Sequence, residues 1–179
     1  MTEPRDAPAA SEAEFDRLFN QYSAPVYNYI LRMVGDADRA ADIAQDTFIK
    51  AYRKLHTLTD ASSARAWIYR IATNTAIDSM RRNRHAVRMD LEDRPVEQPD
   101  GGPGPETQVL SGLLDERIGR ALLRLKPNHR QCLILSDVED MSATQIGEVM
   151  EMSGGAVRVL LCRARAEMRR LLAAEGLVR

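Results

Sequence analysis

The chain has 179 residues, of which 28% are charged, 44% hydrophobic and 5% aromatic, and its 25 basic and 26 acidic side chains leave a net charge of −1. This length and composition suit one or two soluble domains. No stretch approaches the roughly 18 to 20 continuous apolar residues that cross a bilayer, and residues 1–10 lack the apolar core of a signal peptide. We therefore expect a cytoplasmic protein without membrane insertion, in which residues 1–10 form a disordered tail.

Two short basic segments stand within an otherwise acidic chain. Residues 64–88 hold six basic side chains and one acid, and residues 153–179 hold six basic side chains and two acids. Separated patches of this kind are typical of a protein that contacts a polyanion at two places. A solvated helix face can carry the same charges, so the pattern by itself leaves both interpretations open.

The first half reads as three helices. Apolar spacing from Phe15 predicts a helix that ends at Gly35, Asp36 is an N-cap for the second helix, and the third begins near Ser63. Three helices of this length can share one core. The predicted core stripe of the second helix is Ala40, Ile43, Ala44, Thr47, Phe48, Ala51, Tyr52 and Leu55, and that of the third is Trp67, Ile68, Ile71, Ala72 and Thr75.

Residues 89–107 read as a linker. They contain four of the eight prolines, three of the ten glycines and six acidic side chains, without apolar periodicity. Such a segment buries too little apolar surface to offset its ordering entropy, so we expect a flexible acidic tether. The predicted fold class is therefore all-α, with one small helical domain at 11–88 and a second at 108–179.

The second half shows the spacing of a helix-turn-helix. An amphipathic stretch from Leu110 to Leu125 ends before Pro127, which suits the first turn of the next helix. Ser142 and Gln145 have capping-box spacing, and Ser153 can cap a final basic helix. A short helix, a tight turn and a longer basic helix are typical of a DNA-binding helix-turn-helix. A generic helical hairpin with a solvated face is the alternative.

Two further features point to binding. Asp42, Gln45, Asp46 and Ile49 lie at i, i+3, i+4 and i+7 on the second helix, away from its core stripe, which makes them a docking surface for a basic helical partner or an ordinary solvated face. Residues 57–63 form a loop of small and polar side chains of the kind that can approach an unstacked base. We expect Trp67, which could stack on such a base, to be a core residue instead.

The sequence contains no motif that predicts a catalytic site. There is no phosphate-cradling glycine loop, nucleophile elbow or HExxH pattern, and the cysteines and histidines are too scattered to predict a disulfide or a zinc site. We expect no catalytic residue, metal or cofactor, and no enzymatic activity.

Two stretches resemble a known family. Residues 42–52 (DIAQDTFIKAY) and 66–78 (AWIYRIATNTAID), followed by Arg81 and Arg82, resemble domain 2 of bacterial extracytoplasmic-function (ECF) sigma factors. Leu125-Lys-Pro127 and residues 142–172 resemble domain 4 of the same family. The resemblance implies a dissociable promoter-recognition subunit of RNA polymerase, with core polymerase and promoter DNA as partners and an anti-sigma protein as inhibitor.

The resemblance also implies residue roles. Asp42, Gln45, Asp46 and Ile49 would dock on the coiled coil of the polymerase β′ clamp, and domain 4 would meet the β flap. The residues implied for the minus-10 element are Leu58, Asp60, Ser62, Asn74, Asp78, Arg81 and Arg82. Those implied for the minus-35 element are Ser153, Gly155, Arg158, Arg163 and Arg165.

This chain departs from the family at some of these positions. Leu58 stands where the family often has an aromatic, and Val159, Leu160 and Cys162 stand where polar, basic and bulky side chains are common. Two alternatives to a sigma factor remain. One is a helix-turn-helix regulator that acts without being a polymerase subunit, and the other is a helical adaptor for acidic proteins.

Overall fold

The computed structural model describes residues 7–92 and 116–177, and the side chains of residues 12–83 and 116–177. Every regular element in these ranges is helical, which confirms the predicted all-α class. The α-helices are α1 (Ala7–Val34), α2 (Ala37–Lys54), α3 (Ala64–Glu92), α4 (Glu116–Arg124), α5 (Pro127–Leu133), α6 (Ala143–Met150) and α7 (Gly154–Ala174). Short 3₁₀ turns at Leu55–Thr57 and Ala61–Ser63 connect α2 to α3, and a π-helical turn at Ile134–Val138 extends α5.

Helices α1 to α3 form the N-terminal half and pack on one another. Gly35 ends α1 at φ 76°, a left-handed conformation that glycine adopts without a Cβ penalty. The Asp36 carboxylate then accepts a 2.9 Å hydrogen bond from the Arg39 backbone N–H and caps α2. Both the predicted stop and the predicted cap are confirmed.

The predicted core stripe of α2 is wrong at one position. Tyr52 is 51% exposed, whereas the other members of the stripe are buried. Helix α2 packs on α1 and α3, and the end of its apolar stripe turns toward solvent. The Tyr52 ring lies edge-on against Phe15, with ring centroids 5.1 Å apart.

Helix α3 buries a second face that its apolar spacing does not predict. Tyr69, Thr73 and Ala76 are buried together with the predicted Ile68 and Ala72. Trp67 and Ile71, which were predicted to be core residues, are only partly buried. The second buried face exists because α3 packs on α2 on one side and on α6 on another.

Helices α4 to α7 form the C-terminal half, in which the predicted caps are confirmed. Pro127 occupies the first turn of α5, and the Ser142 and Gln145 side chains form a capping box at the start of α6. Ser153 caps α7, so α6 and α7 form the helix-turn-helix. Arg130 and Gln131 of α5 are also buried, which their polarity did not predict.

The observed boundaries differ from the predicted ones at two places. Helix α1 begins at Ala7, inside the predicted tail 1–10, and α3 continues to Glu92, beyond the predicted start of the linker at residue 89. The rest of the predicted linker and the predicted start of the next helix at Leu110 lie outside the described residues.

The two halves lie against each other and share one buried core. Helix α3 packs on α6, and α1 packs on α4 and α5. Tyr29 and Thr73 of the N-terminal half share a buried 2.7 Å hydrogen bond, and Gln131 of the C-terminal half reaches the Thr73 hydroxyl at 3.4 Å. The halves are therefore in direct contact as well as joined through the chain.

Candidate nucleic-acid interfaces

The four residues of the predicted docking surface lie on one face of α2. Asp42, Gln45, Asp46 and Ile49 are all exposed, Ile49 to 43%, while Ile43, Ala44, Thr47 and Phe48 turn inward. We call the exposed four the docking stripe. Ile49 is a large apolar side chain exposed at one end of the stripe, on the same helix face as the carboxylates of Asp42 and Asp46, so the stripe is available to a partner.

An apolar groove adjoins the docking stripe between α1 and α2. Gln45 and Ile49 of the stripe line this groove of about 710 Å³. Its aromatic wall consists of Phe15, Phe19, Tyr27, Phe48 and Tyr52. Sequence analysis missed the groove because it assigned Tyr52 to the core, whereas Tyr52 is 51% exposed and Phe19 is 42% exposed.

The loop before α3 is shaped by Asp60. Its carboxylate accepts hydrogen bonds from the Ser62 hydroxyl and, at 3.1 Å, from the Ser62 backbone N–H, and its carbonyl accepts one from the Ser63 hydroxyl at 2.7 Å. The bonds from Ser62 stabilise the charged carboxylate and hold the pKa of Asp60 below its ordinary value. Leu58 packs against the core, so the loop is anchored at one end and polar at its tip.

A polar cavity of about 570 Å³ lies between this loop and α3. We call it the loop cavity, and its lining residues are Lys54, His56, Thr57, Trp67, Arg70, Ile71 and Asn74. The Trp67 indole N–H donates a 3.1 Å hydrogen bond to the Thr57 hydroxyl, which fixes an aromatic wall beside the loop. The volume lies within the range of about 300 to 1,000 Å³ typical of small-molecule sites.

The loop cavity contains one predicted site residue and several that were missed. Asn74 lines it with a side-chain amide, a group that can read a base edge. Leu58, Asp60 and Ser62 do not line it. Sequence analysis did not predict Lys54 and Arg70 as site residues, because they lie on different helices and each is an isolated cation in the sequence. The folded chain brings both to the loop cavity.

The remaining residues predicted to contact the minus-10 element continue from the cavity along α3. Asn74, Asp78, Arg81 and Arg82 are exposed and follow i, i+4, i+7 and i+8 spacing, which places them on one face. A track that begins at a polar cavity and ends at two guanidinium groups suits a strand with one base turned inward and its backbone alongside.

The N-terminal end of α7 is the exposed part of the helix-turn-helix. The Ser153 hydroxyl accepts a 3.2 Å hydrogen bond from the Ala156 backbone N–H, and Gly155, Arg158 and Arg163 are exposed. Val159 is 53% exposed between these arginines. This end of the helix can enter a groove because nothing in the described part of the C-terminal half covers it.

Arg165 is engaged within the protein. Its guanidinium donates to the Asp137 carboxylate at 2.6 Å and to the Ser136 hydroxyl at 3.2 Å. Burial raises the pKa of Asp137, but the hydrogen bonds from Arg165 and Ser136 outweigh that effect, so the pKa lies below its ordinary value. The Arg165 side chain is itself 52% exposed, but its guanidinium is bound to Asp137 and Ser136.

The described side chains form no metal centre. Among residues 12–83 and 116–177, no group of three or more His, Cys, Asp and Glu side chains could hold a metal ion. Cys132 is buried and Cys162 is exposed, and both are free thiols. No helix in the described ranges is long and apolar enough to cross a membrane.

Comparison with known proteins gives two family matches, in the order that the two halves predict. The model of Sigma-70 region 2 matches residues 18–86, and the model of Sigma-70, region 4 matches residues 115–168. These ranges contain the docking stripe, the loop cavity and most of the helix-turn-helix.

The chain is also similar to individual sigma factors. It is 30% identical over 168 residues to the ECF RNA polymerase sigma factor SigW of Bacillus subtilis. The alignment covers 88% of this chain and 88% of SigW. It is 33% identical over 158 residues to the RNA polymerase sigma-H factor of Pseudomonas aeruginosa, which covers 84% of this chain and 82% of that relative.

A solved structure shows the same fold. The sigma factor RpoE in complex with the anti-sigma factor NepR from Bartonella quintana matches with a TM-score of 0.72 at 23% identity, over 89% of this chain and 97% of that one. The paired family models and the relatives aligned along most of their length show that this chain belongs to the ECF family of RNA polymerase sigma factors.

Proposed function

We propose that this sigma factor binds core RNA polymerase through the docking stripe and directs it to promoters by reading the minus-10 and minus-35 elements. The single observation that carries the core-binding role is the exposure of Ile49 beside Asp42 and Asp46 on a helix whose opposite face is fully buried. Exposed acids that share one helix face with an apolar side chain complement a basic helical surface such as the β′ clamp coiled coil. The C-terminal half would then meet the β flap.

The minus-10 element would be read at the loop cavity. The cavity combines an aromatic wall at Trp67 with the amide of Asn74, which are the groups that stack on a base and hydrogen-bond to its edge. Arg81 and Arg82, farther along the same face, would neutralise phosphates of the melted strand. Leu58, Asp60 and Ser62 would shape the loop, since Asp60 and Ser62 bond to each other.

The minus-35 element would be read by the N-terminal end of α7. Arg158 and Arg163 are the exposed cations there, and Ser153 and Gly155 lie where the helix start approaches the DNA backbone. Arg165 would position the helix through Asp137 and Ser136. On this proposal residues 11–88 and 108–179 act as two DNA-contacting domains joined by the acidic linker 89–107.

The protein would act by binding alone, with no enzymatic activity of its own. Two small sites on a tether bind DNA weakly until the polymerase holds them at a fixed spacing, where both contribute. We also propose that an anti-sigma protein controls it in the cytoplasm. The similar sigma factor RpoE was solved in complex with the anti-sigma factor NepR, which supports this form of control.

In vitro transcription tests the proposal. Purified core polymerase is supplied with a promoter library, with and without the chain, and start sites are sequenced. Initiation that requires the chain and shares sequence elements near minus 10 and minus 35 would support the proposal. Binding of the chain to DNA without any effect on core polymerase would favour the alternative of an independent helix-turn-helix regulator.

The docking stripe is tested by Asp46→Arg. Reversing the central charge should abolish binding to core polymerase in a pull-down assay while thermal unfolding stays unchanged, because Asp46 is exposed. The matched control is Asp16→Arg, the same reversal at an exposed position on α1. If Asp46→Arg binds core polymerase as well as Asp16→Arg does, the proposed role of the docking stripe in binding core polymerase is wrong.

A further inference from the structure

The side of α7 that faces away from the core is apolar along its centre. Val157, Leu161 and Ala164 are buried and hold the helix against the rest of the C-terminal half. Because an α-helix turns about 100° per residue, Val159 and Cys162 lie on the side opposite these three residues. Val159 is 53% exposed, and Cys162 is exposed with a free thiol. We call Val159 and Cys162 the apolar ridge.

Val159 is the most exposed large apolar side chain among residues 12–83 and 116–177. Its neighbour Leu160, by contrast, packs against the core. A single exposed valine is ordinary on a protein surface, so the significance of Val159 lies in what surrounds it.

Arginines flank the apolar ridge on both sides. Arg158 and Arg163 are exposed and lie about 140° apart around the helix axis, with the ridge between them. Within the described part of the chain, neither guanidinium pairs with an acid, whereas that of Arg165 is bound to Asp137. The first acidic residue of α7 is Glu167. The exposed face at the start of α7 is therefore cationic at its edges and uncharged along its centre.

This distribution of charge fits the major groove of DNA. A helix with its side chains is about 10 to 12 Å wide, and the groove is about 12 Å wide, with phosphates along both walls and base edges on its floor. The recognition helix of a helix-turn-helix places its N-terminal residues against base edges. With α7 in the groove, Arg158 and Arg163 would face opposite walls. The apolar ridge would then face the floor.

The chemistry of the base edges favours thymine beneath the ridge. Guanine, cytosine and adenine present only hydrogen-bonding groups in the major groove, whereas thymine also presents its C5-methyl group. The Val159 side chain has no donor or acceptor, and the Cys162 thiol is a weak one. An apolar side chain that covers a polar base edge leaves it without a partner, which costs affinity, but contact with a methyl group is favourable.

We propose that the apolar ridge recognises thymine C5-methyl groups in the minus-35 element, with Val159 as the main contact. Cys162 follows by three residues, or about 4.5 Å along the helix axis, which is close to the step of about 3.4 Å between base pairs. Cys162 therefore extends the contact to the neighbouring base pair. The proposal rests on the proposed function, because it names the base that the minus-35 site selects.

A protein partner fits the ridge less well than DNA does. A stable protein interface buries roughly 800 Å² on each partner. The ridge consists of two small side chains between two arginines, so it offers far less apolar surface than such an interface needs. A base edge between two rows of phosphates matches both its size and its charge.

The first test removes single methyl groups from the DNA. Core polymerase with the full chain first selects its minus-35 element from a promoter library. Each thymine of that element, on either strand, is then replaced by deoxyuridine, which lacks only the C5-methyl group and pairs identically. The two templates compete in one transcription reaction. At one thymine or at two adjacent base pairs, we expect initiation to fall about threefold to fivefold, as the loss of one buried methyl group predicts. A selected element without thymine, or one that tolerates every deoxyuridine, would overturn the proposal.

The second test assigns the methyl contact to Val159. In Val159→Ala the loss caused by deoxyuridine should fall below about twofold, since the shortened side chain no longer reaches the methyl group. Val159→Ile should retain the loss. The matched control is Val138→Ala, the same change at a valine that is 41% exposed outside α7, and it should keep the full loss. Because each value is a ratio of two templates with one protein, changes in stability or in polymerase affinity cancel. An undiminished loss in Val159→Ala would reject the role of Val159.

The third test locates Cys162. Cys162→Ser keeps the shape of the side chain and replaces the thiol with a more polar hydroxyl. Methyl dependence should weaken at the base pair beside the one that responds to Val159→Ala, and it should persist at the Val159 base pair. An unchanged preference at the neighbouring base pair would reject the assignment of Cys162.

Failure of the inference and failure of the proposed function give different results. The free full chain is therefore also used, at low salt, to select duplexes from a random library, and the same deoxyuridine ratios are measured. If promoter-specific initiation occurs but deoxyuridine has no effect, the inference fails alone. If the free chain shows methyl dependence that Val159→Ala removes, but core polymerase is never engaged, the proposed function fails and the methyl contact stands. If the chain selects no DNA by either route, both fail.

Discussion

Arg130 is a buried cation that donates hydrogen bonds to the terminal backbone carbonyls of two helices, one in each half. Its guanidinium donates to the carbonyls of Met33, Leu122, Leu123 and Leu125, at the C-terminal ends of α1 and α4. Carbonyls at these ends lack helical partners and carry partial negative charge, so a cation satisfies them well. Burial lowers the pKa of Arg130 to about 10, which still leaves it charged at neutral pH.

Replacing Arg130 should therefore be costly. Arg130→Met keeps most of the apolar stem but leaves the carbonyls without their donor, so we expect the free energy of unfolding to fall by about 2 to 4 kcal/mol. Urea denaturation measures the change. Arg158→Met, at an exposed position on α7, should stay within about 0.5 kcal/mol of the natural chain. Equal losses in the two variants would contradict this account.

Asp137 makes stability sensitive to acid. Its folded-state pKa lies below the ordinary value of 3.8, so the stability that it contributes is present above that pH and is lost as the pH falls through the folded pKa. Asp137→Asn should reduce the loss of stability between about pH 5 and about pH 3. The effect should be below about 1 kcal/mol, because the carboxylate is 45% exposed. Denaturation at the two pH values measures it, and identical losses in both proteins would contradict the assignment.

At the scale of elements, short-range interactions at three places determine the geometry of the helix-turn-helix. The Ser142 and Gln145 capping box begins α6, Ser153 caps α7, and Gly147 lets the turn approach, since a Cβ there would lie 2.5 Å from the Met152 carbonyl oxygen. These short-range interactions orient α7 without involving its exposed arginines. Stability and DNA reading can therefore be separated by mutation.

The two caps should have different consequences. Ser142→Ala and Ser153→Ala should each lower the free energy of unfolding by about 1 kcal/mol, because each removes a capping oxygen. Only Ser153→Ala should also weaken minus-35 dependence, since Ser153 lies at the proposed DNA-facing end of α7. Denaturation and transcription from promoters with and without the minus-35 element measure the two effects. A loss of minus-35 dependence in Ser142→Ala would show that helix stability alone explains both.

Substituting the arginines of α7 tests recognition of the minus-35 element more directly than removing the caps does. Arg158→Ala and Arg163→Ala should each reduce minus-35 dependence and flatten the salt dependence of DNA binding by about one unit per lost phosphate contact. Arg170→Ala, at an exposed position near the other end of α7, is the control and should change neither. An unaltered promoter preference in both variants would remove those residues from the interface.

At the scale of the whole molecule, the shared core should make the two halves unfold together. Trp67, the one tryptophan of the chain, reports on the N-terminal half, whereas helical circular dichroism reports on both halves. We expect the two urea transitions to coincide in the natural chain. They should separate in Gly35→Ala, because a Cβ at Gly35 would lie 2.5 Å from Leu123 Cδ1 of the other half and would weaken the contact between the halves. A tryptophan transition displaced from the helical one in the natural chain would show that the halves fold independently.

The sequence by itself determined the helices, their ends and the surfaces that packing does not use. The caps at Asp36, Ser142 and Ser153 act between residues three apart, and the stripe from Asp42 to Ile49 follows from helical periodicity, so both are readable without tertiary structure. The order of the two motifs along the chain also indicated the family. Local interactions and regular spacing are the information that a sequence displays directly.

Only the tertiary structure decided which surfaces are covered. Tyr69 and Thr73 became buried, Tyr52 became exposed and Arg130 became a buried cap, because each outcome depends on a helix distant in sequence. The loop cavity likewise exists only where residues of the loop meet α3, and Arg70 pairs with Glu151 because the two halves pack together. Contacts between distant segments depend on how whole helices pack, and no local pattern records that arrangement.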